Sequence, residues 1–581
     1  MFVVFLCNSA FVSLSQSKEK LKIIYTGRAK TLVNEVDGSV TTFLRDNQQQ
    51  VHFVHNGINL YCDKAILYKE QDFIEAFSNV RMVQGDTITM TANYTEYSGK
   101  TELAFARGNV ILKEPESTLT TNKLHFDRKK QQAYYDTKGK VVRDSSGTIT
   151  SNIGRYYMQT KKYQFIDSVV LVNPEYTLKT KRLDFFNDSG HAYIFGPSTI
   201  TGEDNDIYCE RGFYDTQEDF GHFQRNAKIN YDNREVKGDS MYFDRTLNFA
   251  SATNNIKVTD TINNSIVKGD YAEVWKAKDS LFITGRALAI SVQEQDSIYM
   301  HSDTLMVTGP EEHRITRAFY NAKIYKSDLA GKADSIHVDH KSGLTQMINL
   351  ARYDSKDPFA IKRKPVLWNL DNQMSGDTIH LISDVKTEKL DSLKVFYNAF
   401  LVSKDTISED GYNQTKGKEL IGLFRDNELY NVDIIKNAEV IYYSRNDLGE
   451  LIGINKSKSG SITIKIANND IEEIRLINKI DGDLSPESLF PNNANKLRGF
   501  DWRGEERPNS VEDLFKDDKS RKLPAIKGLD DYIPPEDFFD EAVLERVETA
   551  KPKNAKSENR AARNIPNNEK AEPKKEKKSG K

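Results

Sequence analysis

The ten histidines of this 581-residue chain are the first place to look for metal or acid–base chemistry. The closest pairs are His52 with His55 and His337 with His340. A spacing of three along a strand sends two imidazoles to opposite faces, so neither pair chelates a metal readily. They read as solvated surface residues. A second candidate is the Asp or Asn that recurs through the chain, as at Asp63, Asn93 and Asn122. Calcium-binding repeats need several oxygen donors within one short loop, and each copy here offers one. Of the three cysteines, Cys62 and Cys209 hold the same position in copies five repeats apart. At about 4.8 Å per strand they stand roughly 24 Å apart. A disulfide needs Cα atoms within about 7 Å, so these two read as unpaired small core residues. No Gly-rich phosphate loop, nucleophile elbow or Cys-x-x-Cys is present. The 85 acidic residues form no couple that stands out as an acid and its base. No metal or other cofactor is expected, and the residues argue against an enzyme.

What does recur is a small residue beside a polar one, carried on strands. Cys62-Asp63, Ala92-Asn93, Thr121-Asn122, Ser151-Asn152, Thr180-Lys181, Cys209-Glu210, Gly238-Asp239, Gly269-Asp270, Ser302-Asp303 and Ala333-Asp334 are spaced by 30, 29, 30, 29, 29, 29, 31, 33 and 31 residues. An eleventh copy is read at Ser383-Asp384, led in by Gly376-Asp377-Thr378-Ile379 as Gly85-Asp86-Thr87-Ile88 leads in the second. Two residues before the small one the position is apolar: Leu60, Met90, Leu119, Ile149, Leu178, Ile207, Val236, Val267, Met300 and Leu381, with Gly331 the exception. Alternation such as Ile88, Met90, Ala92 is the period of a strand with one dry face. Turns at Gly108-Asn109 and Asn226-Ala227 use residues that tolerate positive φ. Units this short cannot bury an apolar face alone and must stack on their neighbours. The invariably small residue marks a crowded bend where two layers meet.

With 38% hydrophobic and 29% charged residues, the composition suits a thin, strand-rich body rather than a thick core. A net charge of −3 gives no sign of a nucleic-acid binder, and no stretch after the first residues is long enough for a membrane-spanning helix. Residues 1–16 resemble a secretory signal lacking its basic start, with Ser13-Leu14-Ser15 as a small-x-small cleavage site. Cys7 is a weak candidate for lipid attachment. The repeat array runs over 17–355, an insertion over 356–374 and further repeats over 375–482. Residues 483–581 are rich in Pro, Asn and charge and read as largely disordered, with one amphipathic helix from Glu536 to Glu548.

The segments Leu60-Tyr61-Cys62-Asp63-Lys64-Ala65-Ile66-Leu67-Tyr68 and Ala106-Arg107-Gly108-Asn109-Val110 resemble the repeat grammar of the OstA/LptA-like family, the periplasmic lipopolysaccharide-transport module also found at the N-terminus of the translocon LptD. The resemblance covers about residues 20–480, and Arg498-Gly499-Phe500-Asp501-Trp502 before a low-complexity tail is similar to the long Bacteroidetes-type OstA-like proteins. It implies an all-β elongated array, a V-shaped antiparallel β-jellyroll of stacked units whose sheets do not close on each other. Acyl chains of lipopolysaccharide would lie in the gap, with the apolar positions from Leu60 to Leu381 lining it. It further implies a periplasmic location, with association at the outer membrane, and partners that are other Lpt-type jellyrolls joined by edge-strand addition. The array is longer than the family's bridge module, and no membrane barrel follows it. Two other readings stay open: a structural or adhesive β-solenoid with a closed core and no lipid, and a parallel β-helix acting on polysaccharide. The last needs a cluster of Asp, Arg or Lys on one face, and none is found.

Overall fold

The computed structural model describes residues 21–350 and 364–519, apart from 56, 87, 116, 144–146, 204, 232, 294–295, 388, 406, 409–410, 447, 468–469 and 492–493, together with 522–523, 532–533 and 552. The signal-like segment with Cys7, the helix expected at 536–548 and nearly all of the basic tail lie outside them. Two compact units form, one from residues up to 203 with those after 530, and one from residues 204–530. The described residues are all-β: 36 strands paired antiparallel, and helical turns of three or four residues only.

Each repeat is one hairpin whose two strands bend in the middle, so each strand serves two walls. Phe73–Gln84 and Ile88–Ser98 show how. Their pairing runs from Phe73↔Ser98 to Phe77↔Tyr94, slips, and resumes from Val80↔Ala92 to Gln84↔Ile88. At the slip Ser78 and Asn79 take φ of 62° and 47°, a bulge that turns the strand. The Asn79 side chain donates to Asp63 Oδ2 at 2.7 Å. The second unit repeats the rung where Asn255 donates to Asp239 at 2.7 Å and Asn398 to Asp377 at 3.1 Å. The recurring acidic residue therefore ties the bend of one strand to its neighbour. At some bends the small residue is small for want of space, while at Gly238 a Cβ would have room, its nearest neighbour lying at 3.6 Å. A Cβ on Gly417 would meet Ile434 Cγ2 at 2.5 Å, and one on Gly376 would meet Val395 Cγ1 at 2.3 Å.

Three expectations are corrected here. The eleventh bend is Gly376-Asp377, not Ser383-Asp384. Asp384 instead closes a turn, accepting the amides of Lys386 and Thr387. The same Gly-Asp-Thr-Ile letters make a hairpin turn in one copy and a bend in the other, because the insertion shifted the spacing. Part of that insertion is itself wall: Val366–Asn369 pairs with Leu329–Lys332 and with Asn372–Ser375.

The third correction is the start of the tail. Residues 494–518 lie along the second unit, on the wall face that carries His301, Lys323, Tyr325 and Lys332 and not on the Ile324 and Gly331 face. Two buried glutamines read its backbone. Gln414 donates to Asn495 O at 2.7 Å and accepts from Leu497 N at 2.9 Å. Gln373 donates to Asp501 O at 2.6 Å and accepts from Arg503 N at 2.7 Å. Leu497 and Leu514 are buried, and Phe500 meets Phe400 and Tyr412 edge-on. Composition alone hides this, because a strap needs only a few anchors once side chains of the sheet satisfy its peptides. In the first unit Tyr532 donates to Asp184 at 2.8 Å and stacks near Tyr193.

Glu506 fastens the strap electrostatically, accepting from Arg503 at 2.8 and 2.9 Å with Lys332 at 2.9 Å. Burial raises its pKa, but the bonds from Arg503 and Lys332 outweigh that and hold it at about 2. A pKa lowered in the folded state contributes stability above the ordinary value near ~4.3, and that stability is lost as pH falls toward about 2. Denaturation curves taken at pH values descending through this window should show Glu506→Gln losing less stability than the native chain.

Candidate functional site

Within each unit the apolar positions singled out from the sequence, Leu381 excepted, form a ladder, and each is separated from the next by a residue the repeat pattern had not marked. In the first unit the cross-strand order is Leu60, Met82, Met90, Leu112, Leu119, Val141, Ile149, Leu171, Leu178 and Ile200. In the second it is Ile207, Ile229, Val236, Val258, Val267, Ala289, Met300, Ile324 and Gly331. The intervening residues sit on the return strand of each hairpin, and Met82, Ile229, Val258 and Ile324 stand three residues after the asparagine of an Asn-x-Lys/Arg segment. That offset was the available signal.

Leu381 does not join the ladder. It pairs with Thr345 and Leu393, beyond the bend. Its place is taken by Met374, between Leu367 and Leu401. The displacement follows from the shifted bend at Gly376.

Exposure along the ladder is uneven. Leu60, Met90, Leu119, Ile207, Val236 and Val267 are half-buried, whereas Ile149, Leu178 and Met300 are buried. Half-buried aliphatics in a row leave apolar surface open between two walls. In the first unit this leaves a small, partly open cavity of about 30 Å³, well below small-ligand sites at about 300–1,000 Å³. Leu112, Leu119 and Val141 line it from one wall, and Leu124, Tyr156 and Phe165 from the other. Tyr156 and Tyr163 stack at 4.3 Å, making a flat aromatic floor.

Three polar groups of its lining meet at Glu114. Ser117 donates to Glu114 Oε2 at 3.2 Å and Tyr163 donates to the same oxygen at 3.4 Å. Burial pushes the Tyr163 phenol up, and the charge of Glu114 adds to this, so the hydroxyl stays a donor. The arrangement is an aliphatic and aromatic slot with a hydrogen-bonding rim.

The residues weighed for chemistry are placed otherwise. His52 stacks on Tyr61 at 4.3 Å and bonds Asn59, and His340 bonds Thr316. His337 is half-buried beside Ser335. His52, His55 and His337 are half-buried sheet residues, whereas His340 is exposed in the turn after its strand, as a solvated residue would be. The two most buried histidines are His222 and His301, neither of which the pairwise spacing picks out. Cys62 and Cys209 are free and fully buried, and burial drives each thiol up to about 12. The thiolate is the reactive form, so both should resist maleimide in the native protein and react only on unfolding, as mass spectrometry of labelled peptides would report.

The OstA-like protein family matches residues 44–181. Over that segment the chain is OstA-like, a stretch that contains the whole lining of the cavity. Among solved structures, the chain is similar to LptH, the LptA-homologous periplasmic component of the lipopolysaccharide transport device from Pseudomonas aeruginosa. Identity is 15% and the TM-score 0.17, over 18% of this chain and 75% of that one. A TM-score so low adds nothing to the argument. No curated protein matches the chain.

Proposed function

We propose that the protein is a periplasmic lipopolysaccharide-transport component that shields acyl chains in the furrow between its walls. The observation that carries this reading is the unbroken run of half-buried aliphatics Leu60, Met82, Met90, Leu112 and Leu119 along one wall. Each methylene buried there contributes about 0.8 kcal/mol, so several acyl carbons suffice for firm holding. The OstA-like match over the same residues supports the cargo class. Movement needs no chemistry on this chain, and none of its residues is assigned a catalytic role. A ladder of similar aliphatic side chains lets cargo shift at little net cost, with the driving force supplied from outside.

Edge strands are the surfaces for partners of the same build. Lys22–Tyr25 and Arg28–Asn34 carry exposed Ile23, Ile24, Leu32 and Val33, and Asp481–Ser485 carries exposed Leu484. Such strands offer unpaired backbone groups to another jellyroll. Among the described residues no helix is long and apolar enough to cross a membrane.

The reading is tested in cells by a photoreactive amino acid placed at Leu119 and at Ile207. Crosslinks to lipopolysaccharide support the carrier. Silence at both, with the protein correctly exported, favours the closed structural solenoid.

A further inference from the structure

The one break in the apolar ladder is Gly331, and the structure shows what stands in the gap. Gly331 pairs with Ile324 on one side and Leu367 on the other, so its missing side chain faces the same space as theirs. That space is filled from the opposite wall. A Cβ on Gly331 would meet Met347 Cε at 2.8 Å and Leu367 Cδ1 at 3.4 Å. Met347 belongs to the far wall, where it pairs with Ile336 and Ile379. Its thioether therefore crosses the furrow and rests on the glycine backbone. Met is suited to this, being long, unbranched and able to fill an irregular gap.

On the ladder itself the exposed surface dwindles toward this contact. Ile207, Ile229, Val236, Val258 and Val267 keep part of their surface open, Met300 and Ile324 are down to 8% and 7%, and Leu367 and Met374 are at 0%. The two walls meet at Gly331 through Met347, and the strap runs along the outside on both sides of this contact, held by His301 and Lys323 before it and by Lys332, Gln373 and Gln414 after it.

We infer that Met347 seated on Gly331 is a stop that ends the lipid furrow inside the second unit. The section from Gly331 to about Ile464 is then a solid docking body and not a conduit. Acyl chains enter and leave through the open side of the furrow before Gly331, and the edge strands at Asp470–Ile477 and Asp481–Ser485 join a partner without passing lipid to it. This rests on the carrier reading above, and it deepens that reading by fixing where the cargo path ends.

The experiment uses the unaltered full-length protein and a lipid A bearing a photoreactive diazirine in its acyl chains, with labelled residues mapped by mass spectrometry. The expected result is label on furrow residues such as Leu119, Val236 and Val267 and its loss from Leu367, Met374, Val395 and Ile434. Equal labelling of the last four overturns the stop while leaving the carrier reading intact. Absence of label everywhere overturns the carrier reading and, with it, the stop. In Met347→Ala the label should advance to Leu367; label that remains confined before Gly331 removes Met347 from the role.

Discussion

Replacing Trp368 with alanine should lower the stability of the unit formed by residues 204–530 by about 3–5 kcal/mol, the range for deleting a buried Trp side chain. Trp368 is 1% exposed and packs with Ala330 and Val366. Its ring N–H donates to Gln373 Oε1 at 3.2 Å, the same oxygen that accepts the Arg503 amide of the strap. Truncation therefore opens a void and removes one of the bonds that fix the orientation of Gln373. The strap should loosen together with the wall. Urea denaturation followed by circular dichroism would give the first effect, and amide exchange at Arg503 the second. A loss under about 1 kcal/mol, well below the range for a buried Trp, would show that Trp368 is not packed as described.

The second large effect is on cargo. Leu119→Arg puts a charge in the cavity, between Leu112 and Val141 on its own wall and opposite Tyr156. Leu119 is half-buried, so the guanidinium can reach water and the fold should survive. Lipid, however, loses contact with two or three methylenes, about 2 kcal/mol, and about 1.4 kcal/mol is tenfold in affinity. Lipid retained on purification should fall by at least about tenfold. Leu119→Met, which keeps volume and polarity, should retain it. Equal retention by the arginine variant would place the cargo elsewhere.

The repeat and its strand period were legible because they are local and stated many times over. Leu60, Met90 and Leu119 share a face by alternation alone, and at the bends of Gly376 and Gly417 the small residue follows from the close approach of a neighbouring side chain. The intervening rungs, Met82 and Leu112 among them, were legible in principle at an offset the anchor did not mark. What could not be read was nonlocal. Whether two walls touch depends on the length of a side chain from the opposite sheet, and nothing near Gly331 announces Met347. The strap was hidden for a similar reason, since its polar composition is that of a solvated tail and its anchors, Gln373 and Gln414, are far away in sequence. The eleventh bend was misplaced because Gly376-Asp377 carries the letters of a turn seen elsewhere.

Of all these outcomes, one bears directly on whether the furrow carries lipid. The full-length protein, purified from the cell envelope without detergent, is extracted and its bound acyl chains are quantified by mass spectrometry beside the Leu119→Arg variant. Acyl lipid in stoichiometric amount on the native chain, and largely lost from the variant, is the result expected of a furrow that holds a fatty tail. Native protein with no more lipid than the variant would contradict it, and would leave a stacked β array whose slot serves only its own packing.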